Sequence, residues 1–214
     1  MKALITFEGI EGCGKTTQIR MAGEYLGNQK IPYIITEEPG GSPLGKKIRE
    51  ILLNQEPYLI GAKAELLLFS AARAQHVQEV ILPALQAGKL VLCDRFSDAT
   101  LAYQGFGRAL NIDFIKTLND FSSPSLKPDL TLLFDLPVKI GLSRARDRIA
   151  RVRNSPREDR FENEELAFHR QVREGYLSLV KEEPERFMVI DASSQDIATI
   201  HREVCRDLAS FIRR

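Results

Sequence analysis

Residues 9–16 place glycines, a lysine and a threonine in the pattern Gly-x-x-x-x-Gly-Lys-[Ser/Thr]. The segment reads, in order, Gly9, Ile10, Glu11, Gly12, Cys13, Gly14, Lys15 and Thr16. Glycines let backbone N–H groups turn toward a polyphosphate, and the helix that follows adds its positive end. Lys15 would bring a full charge to the outer phosphates, and Thr16 would offer its hydroxyl to Mg²⁺. The pattern predicts a nucleoside triphosphate site; the alternative is a glycine turn with a surface lysine.

Two further pairs of residues have types suited to a second ligand. Asp94 and Arg95 follow an apolar run, where a guanidinium can grip a monophosphate through two hydrogen bonds. The alternative is that Asp94 caps a helix and Arg95 pairs with it. Phe69 and Arg73 are four residues apart in a helical stretch, so their side chains share a face. That face lines a pocket for a base, or else Phe69 packs in the core.

An arginine-rich stretch lies between residues 144 and 160. Its basic residues are Arg144, Arg146, Arg148, Arg151, Arg153, Arg157 and Arg160. Three acids dilute this charge and no aromatic residue interleaves with the arginines, which disfavours an RNA-binding strip. Phosphoryl transfer needs positive charge over the transferred oxygens and exclusion of water, and an arginine on a closing segment supplies both. We therefore predict a lid at about 144–160. The alternative for any one of its arginines is an ion pair with a nearby acid.

Short apolar runs alternate with helical stretches and must position these residues. Strands are predicted at 3–7, 31–36, 90–93, 130–134 and 187–190, and helices near 15–28, over 61–87 and over 166–180. Runs that are continuously apolar indicate strands covered on both faces. The order predicts an α/β fold: a doubly wound, mostly parallel sheet flanked by helices, with ligands at the carboxyl ends of the strands.

Composition limits the class of protein. The 214 residues are 43% hydrophobic, which excludes a disordered chain and fits one domain spanning 1–214. The 30 Lys and Arg against 29 Asp and Glu give a formal charge of +1, so no global field attracts nucleic acid or a membrane. Three cysteines and the lack of a long apolar stretch favour a cytoplasmic protein. His76, His169 and His201 lack the spacing of metal ligands, so we expect surface or satisfied core positions.

Four segments together resemble the bacterial type of thymidylate kinase. They are 7–17 (Phe-Glu-Gly-Ile-Glu-Gly-Cys-Gly-Lys-Thr-Thr), 38–42 (Glu-Pro-Gly-Gly-Ser), 94–96 (Asp-Arg-Phe) and 102–105 (Ala-Tyr-Gln-Gly). The sequence lacks the Asn-Lys-x-Asp and Asp-x-x-Gly motifs of GTP switches. The resemblance implies a P-loop NTPase architecture with a short lid and transfer of the γ-phosphoryl group of ATP to dTMP in dTTP biosynthesis. It also implies Mg²⁺ as cofactor and a homodimer formed through the long helices.

The resemblance assigns the phosphate contacts. Residues 9–17, ending at Thr17, would bind ATP. Arg95 would hold the phosphate of dTMP, with Arg49 as a second arginine for that group. Asp94 would lie near the metal and the transferred phosphoryl group.

The base contacts come from the same resemblance. Phe69 would stack on thymine, and Arg73 would donate to its exocyclic oxygen. Gln104 would read the pyrimidine edge, with Thr100 as a further polar contact. Tyr103 would crowd the sugar 2′ position and so favour deoxyribose.

The sugar and lid positions complete the assignment. Glu11 would reach the 3′-hydroxyl of the acceptor, and Ala99 departs from the serine common in the family. Cys13 stands where some relatives carry a loop arginine, so the catalytic arginine is expected from the lid: Arg148, with Arg153 second. The predicted catalytic set is Lys15, Asp94, Arg95 and Arg148. A kinase for another small acceptor and an ATP-gated binding module are the rival functions.

Overall fold

Five strands form one parallel sheet in the computed structural model, which describes residues 2–54, 59–151, 160–193 and 195–213. The strands are β1 (Ala3–Glu8), β2 (Tyr33–Glu37), β3 (Leu90–Asp94), β4 (Leu130–Asp135) and β5 (Phe187–Asp191). Their spatial order is β2-β3-β1-β4-β5, and every neighbouring pair is parallel. All five predicted strands are confirmed to within two residues at each end, and so is the predicted fold class.

The register of the central strand brings two predicted site segments together. Ile5 of β1 pairs with Leu92 of β3 and with Leu130 of β4, and all of β1 is buried. Phe7 is aligned with Asp94. Because the glycine-rich loop follows β1 and Arg95 follows β3, this alignment places both at the same carboxyl edge of the sheet.

Helices cover both faces of this sheet. They are α1 (Lys15–Asn28), α2 (Pro43–Leu53), α3 (Ala62–His76), α4 (Leu82–Gln86), α5 (Ser97–Thr100), α6 (Ile112–Ser122), α7 (Val138–Arg151), α8 (Leu166–Glu182) and α9 (Ile197–Ile212). The predicted helix 61–87 is present, but its turn Val77–Ile81 is π-helical and joins α3 to α4. A second π-helical segment, Leu101–Gly107, extends α5. The sequence analysis predicted no helix in this segment. Tyr103 and Gln104, two predicted ligand contacts, lie on this π-helical turn.

Two hydrophobic clusters lie on opposite faces of the sheet. The larger one contains Ile5 and Phe7 of β1 together with Tyr176 of α8. The second contains Leu4 of β1 and Phe96. Successive side chains of a strand point to opposite faces, so neighbouring residues of β1 enter different clusters. This burial on both faces is the physical reason for the continuous apolar run in the sequence.

Helix α7 carries the first part of the predicted lid. Arg144 and Arg148 lie on this helix, whereas residues 152–159, with the second-choice Arg153, lie outside the described residues. Arg160 begins the next described segment, and its backbone N–H donates to the carbonyl of Leu53 at 3.3 Å. The lid as a unit therefore stays a prediction.

Candidate active site

A cavity of about 700 Å³ opens at the carboxyl edge of the sheet. Sixteen of the predicted site residues line it: Glu11, Gly12, Cys13, Gly14, Lys15, Thr16, Thr17, Arg49, Phe69, Arg73, Asp94, Arg95, Thr100, Tyr103, Gln104 and Arg148. Gly9 and Ile10 belong to the same loop, and their carbonyls accept hydrogen bonds from Lys15. The fold thus brings together residues from five separate stretches of the chain.

The glycine-rich loop has the backbone geometry that its sequence predicts. Gly12 adopts φ 71°, and a Cβ there would lie 2.0 Å from the carbonyl oxygen of Gly141 on α7. No other residue type fits that close approach of two backbones. Lys15 Nζ donates to the carbonyls of Gly9 (2.9 Å) and Ile10 (3.2 Å) and lies 3.4 Å from the sulfur of Cys13. These contacts hold the ammonium group of Lys15 against the backbone of the loop.

Oxygen ligands suited to Mg²⁺ meet beside this loop. Thr16 Oγ1 donates to Asp94 Oδ2 at 3.0 Å. Mg²⁺ is commonly coordinated by hydroxyl and carboxylate oxygens together with phosphate oxygens, so this pair of side chains fits that ion. Within the described part of the chain no group of three or more His, Cys, Asp or Glu side chains could hold a metal by itself. Asp94 contacts α1 through this bond, and helix α5 begins only at Ser97 after an N-cap at Phe96, so the helix-cap alternative for Asp94 is wrong.

Arg95 is held in the cavity by several partners. Its φ of 68° is left-handed, a conformation that costs energy for a residue with a Cβ and is typical of functional sites. Its guanidinium donates to Gly9 O (3.0 Å), Tyr176 Oη (3.1 Å) and Glu11 Oε1 (3.1 Å). The same group stacks over the ring of Tyr103, 4.8 Å from its centre. Arg95 therefore pairs with Glu11 and not with its neighbour in sequence.

Glu11 is a buried carboxylate surrounded by donors and cations. Tyr103 donates to its Oε1 at 2.5 Å, and His169 Nδ1 lies 3.2 Å from its Oε2 without the geometry of a hydrogen bond. Burial alone would raise the pKa of Glu11, but His169, Arg95 and Lys15 outweigh it and lower this pKa to about 2. The acid is therefore ionised and compensated, which explains how it can lie beside a phosphate site.

The base-pocket residues are joined by hydrogen bonds around Arg73. This buried side chain donates to Glu38 Oε2 (2.8 Å), Asn119 Oδ1 (2.6 Å), Phe96 O (3.1 Å) and Thr100 Oγ1 (2.8 Å). A guanidinium has five N–H donors. The four bonds to described residues leave one N–H on Nη1. The predicted contact residue Thr100 is thus a partner of Arg73 as well as part of the lining.

Aromatic rings and an amide complete the pocket. Phe69 is partly buried, and its ring centre lies 6.3 Å from that of Phe161. Tyr103 meets Phe161 edge-on at 5.5 Å. Gln104 Nε2 donates to Glu65 Oε1 at 2.8 Å. The amide is therefore anchored from behind by a residue outside the cavity lining.

The remaining predicted arginines differ in their surroundings. Arg49 Nη1 donates to the carbonyl of Pro39 at 2.8 Å and lies 3.1 Å from Glu37 Oε2. Arg148 lines the cavity with a side chain that is 59% exposed, and its Nη2 lies 3.3 Å from Glu162 Oε1. This combination fits both roles predicted for Arg148, the ion pair and the cavity-lining cation, because an ion pair with so exposed an arginine contributes little.

A sequence model described as thymidylate kinase matches residues 7–204. The chain belongs to the thymidylate kinase family. It is 59% identical over 208 residues to the thymidylate kinase of Syntrophus aciditrophicus (strain SB), covering 97% of this chain and 94% of that protein. The thymidylate kinase of Geotalea uraniireducens (strain Rf4) is 54% identical over 193 residues, 90% of each chain. A crystal structure of thymidylate kinase from Ehrlichia chaffeensis gives a TM-score of 0.75 at 32% identity, covering 97% of this chain and 98% of that one.

Several buried polar residues of this thymidylate kinase family member support the site without having been predicted. Glu8 ends β1; its Oε1 accepts from the Phe96 N–H and its Oε2 from Tyr176 Oη, both at 2.7 Å. Burial, and then the charge of Asp98, raise the pKa of Glu8 to about 8. The sequence signal was present, because an acid ended a buried strand directly before the loop.

Two other unpredicted acids orient predicted residues. Glu38 lies within a motif used for the family resemblance; its Oε1 lies 3.0 Å from His76 Nδ1, while Thr36 Oγ1 lies 2.6 Å from His76 Nε2. The prediction of a satisfied core histidine is thus confirmed for His76. His169 is buried too and contacts Glu11 at 3.2 Å, but its ring nitrogens make no hydrogen bond with the described residues, so the prediction of a satisfied core histidine is wrong for His169. Glu65 lies in the first turn of α3, where no sequence signal separates a buried acid from an exposed one.

Proposed function

We propose that this chain transfers the γ-phosphoryl group of ATP to dTMP, giving dTDP and ADP, in dTTP biosynthesis. The observation that carries the proposal is a single cavity lined by the phosphate loop and also by Phe69, Arg73 and Gln104. One cavity with room for a triphosphate and a base suits a direct transfer between two bound nucleotides. Membership of the thymidylate kinase family supports the same reaction.

Catalysis in this proposal relies on placement and charge. An oxygen of the dTMP phosphate attacks the γ-phosphorus of ATP in line with the departing ADP oxygen. The acceptor phosphate is already an anion at neutral pH, so no general base is needed. Lys15, Arg95 and Arg148 stabilise the charge on the transferred group.

The donor end is formed by the loop and the start of α1. Lys15 would exchange its bonds to Gly9 and Ile10 for bonds to the outer phosphate oxygens. Thr16 and Asp94 would hold Mg²⁺, which when bound neutralises charge on the phosphates. Residues 9–17 would bind the remaining phosphate oxygens.

The acceptor end is formed by residues after β2 and β3 and on α3. Arg95 would grip the dTMP phosphate, aided by Arg49. When Arg95 turns to the phosphate, the carboxylate of Glu11 becomes available to the sugar 3′-hydroxyl, and Tyr103 stays against the sugar 2′ position. Arg95 thus exchanges one anion for another, and Glu11 keeps its hydrogen bond from Tyr103, so neither group is left buried and unpaired.

The base would lie between Phe69 and the polar side of the pocket. Phe69 would stack on thymine, and the remaining N–H of Arg73 would meet its exocyclic oxygen. Gln104 would read the pyrimidine edge. Thr100 would act through Arg73, whose Nη2 it fixes at 2.8 Å.

We also propose a single kinase domain over 1–214, a cytoplasmic location and a homodimer. Cys13, Cys93 and Cys205 are free thiols, as a reducing compartment allows. None of the helices in the described ranges is long and apolar enough to span a bilayer. Helix α8 buries its apolar face in the core, so we place the dimer interface on α3 and its neighbour α6, which carry exposed apolar side chains.

A coupled assay of ADP release tests the proposed reaction. The purified protein would receive ATP and Mg²⁺ with dTMP, dUMP, dCMP, AMP or thymidine, one acceptor at a time. We expect the highest kcat/KM with dTMP and no turnover in Lys15→Ala. Faster turnover of another acceptor would support the rival kinase, and nucleotide binding without acceptor-dependent ADP release would support a binding module.

A further inference from the structure

Glu65 connects the base pocket to two other parts of the molecule, at Arg108 and at Arg160. Its side chain is fully buried on α3, outside the cavity lining. Its Oε1 accepts from Gln104 Nε2 at 2.8 Å, and Arg108 binds both carboxylate oxygens, at 3.2 and 3.1 Å. Arg160 also donates to Oε2. A buried acid with this many donors is positioned far more tightly than a surface one.

The charge of Glu65 decides which end of the Gln104 amide faces it. Two guanidinium groups contact the carboxylate, and an ionised carboxylate only accepts hydrogen bonds. The Gln104 atom 2.8 Å away must therefore be the amide nitrogen. The other end of the amide, Oε1, is then the end left for the cavity that Gln104 lines. Gln104 consequently presents its acceptor oxygen to the ligand, while one of its two amide N–H groups is held by Glu65.

We propose that Glu65 is a specificity-determining positioning residue, which fixes Gln104 so that the pocket selects a base edge that donates an N–H. This inference rests on the proposed function and explains how the pocket selects thymine. Thymine carries a hydrogen on N3 and an oxygen on C4, whereas cytosine carries a lone pair on N3 and an amino group on C4. A fixed acceptor at Gln104 and a remaining donor on Arg73 match the first edge and oppose the second.

The coupling to Arg108 and Arg160 explains why the orientation holds. Flipping the Gln104 amide would turn its oxygen toward a carboxylate and leave two acceptors facing each other in a buried place. Moving Glu65 away would break its contacts with both arginines. The orientation of the Gln104 amide is therefore fixed by Glu65 before a ligand binds.

A pair of acceptors that differ only at this edge tests the proposal. 5-Methyl-dCMP has the methyl group of dTMP but the N3 and C4 substituents of cytosine. The measurement is the ratio of kcat/KM for dTMP to that for 5-methyl-dCMP, which a general loss of folded enzyme does not change. In Glu65→Gln the residue at 65 can donate as well as accept, so the Gln104 amide can flip. We expect the preference for dTMP to fall by about tenfold or more.

The matched control is Glu164→Gln. Glu164 also pairs with Arg108 but is not a partner of Gln104, so this variant should keep the ratio of the unmodified protein. Glu65→Asp provides a second variant, which keeps the negative charge but is one methylene shorter, so its carboxylate is withdrawn from Gln104. Its preference for dTMP should fall in the same direction.

Three outcomes would overturn the role of Glu65. The first is an unmodified protein that uses the two acceptors within about tenfold of each other, which needs no variant. The second is an unchanged ratio in a folded Glu65 variant, and the third is an equal change in Glu164→Gln. Failure of the unmodified protein to phosphorylate dTMP at all would instead refute the proposed function, so the two failures are distinguishable.

Discussion

The cationic residues of the site are each held by an acid or by backbone before any substrate arrives. Arg95 pairs with Glu11, Arg148 with Glu162, and Lys15 with loop carbonyls. Preformed pairs keep buried charges compensated and leave the donors near their working positions. At the scale of single residues, the exposure of each side chain indicates which pair opens most easily. The side chain of Arg148 is more exposed than that of Arg95, so its pair with Glu162 should open first.

Replacing Arg148 by alanine should mainly lower kcat. The side chain lines the cavity from α7 and pairs only weakly with Glu162, so its loss removes charge stabilisation without disturbing the fold. We expect a decrease in kcat of about 10²- to 10³-fold with little change in melting temperature. Steady-state kinetics with ATP and dTMP measure it. Arg146→Ala on the same helix lines a different surface cavity and should keep its kcat; an unchanged rate in Arg148→Ala would show the assignment to be wrong.

The stability contribution of Glu8 should depend on pH. Its pKa in the folded protein is about 8, above its ordinary value of 4.5, so the folded state binds the proton more tightly. Between those values the unfolded chain has lost this proton and the folded one keeps it, so the free energy of unfolding decreases as the pH rises. Glu8→Gln keeps a neutral, hydrogen-bonding side chain and removes that dependence.

We expect Glu8→Gln to gain stability relative to the unmodified protein by on the order of 1 kcal/mol per pH unit between pH 4.5 and 8. Urea unfolding at pH 5, 6.5 and 8 measures the difference. A difference that stays constant over this range, or that shrinks as the pH rises, would contradict a raised pKa of Glu8.

Pairs of elements meet at the site through close backbone contacts. The loop after β1 touches α7, where a Cβ on Gly141 would lie 2.5 Å from the carbonyl oxygen of Glu11. No side-chain rotation can relieve a contact between backbone atoms. The start of α7 therefore fixes the position of the phosphate loop. Arg148 follows Gly141 on the same helix, two turns later.

Gly141→Ala should displace the loop from α7. We expect the free energy of unfolding to fall by about 1–3 kcal/mol and the KM for ATP to rise. Gly27→Ala on α1 is the matched helical control, since its Cβ would meet Tyr33 only at 3.8 Å and alanine favours a helix. Thermal unfolding and ATP titration of both variants give the comparison. Equal stability of the two variants would mean that the contact with Glu11 is easily relaxed.

At the scale of the whole molecule, the balanced charge and the exposed apolar side chains indicate how the protein binds phosphates and a second copy of itself. A formal charge of +1 provides no long-range field, so phosphates are bound by local groups. Exposed large apolar side chains include Leu67 on α3 and both Phe114 and Phe121 on α6, and these two helices pack against each other. Exposed apolar residues on two neighbouring helices are typical of an interface.

The protein should therefore form a homodimer through α3 and α6. Light scattering after size exclusion should give a mass of twice 24.1 kDa. Leu67→Glu should shift the mass toward 24.1 kDa, because the charge would be buried without a partner at the interface. Ile197→Glu places the same charge on an exposed apolar position of α9 and should leave the dimer intact. A monomeric unmodified protein would refute the proposal.

The sequence by itself determined the order of the strands along the chain, the phosphate loop and the family. These depend on local periodicity and on motifs of contiguous residues, such as 9–16, which need no knowledge of distant contacts. The tertiary structure decided which residues support the site from behind. Glu8, Glu38 and Glu65 are buried beside arginines or N–H groups far away in sequence. One sequence cannot distinguish such acids from solvated ones, because burial and pairing arise only when separate elements pack together.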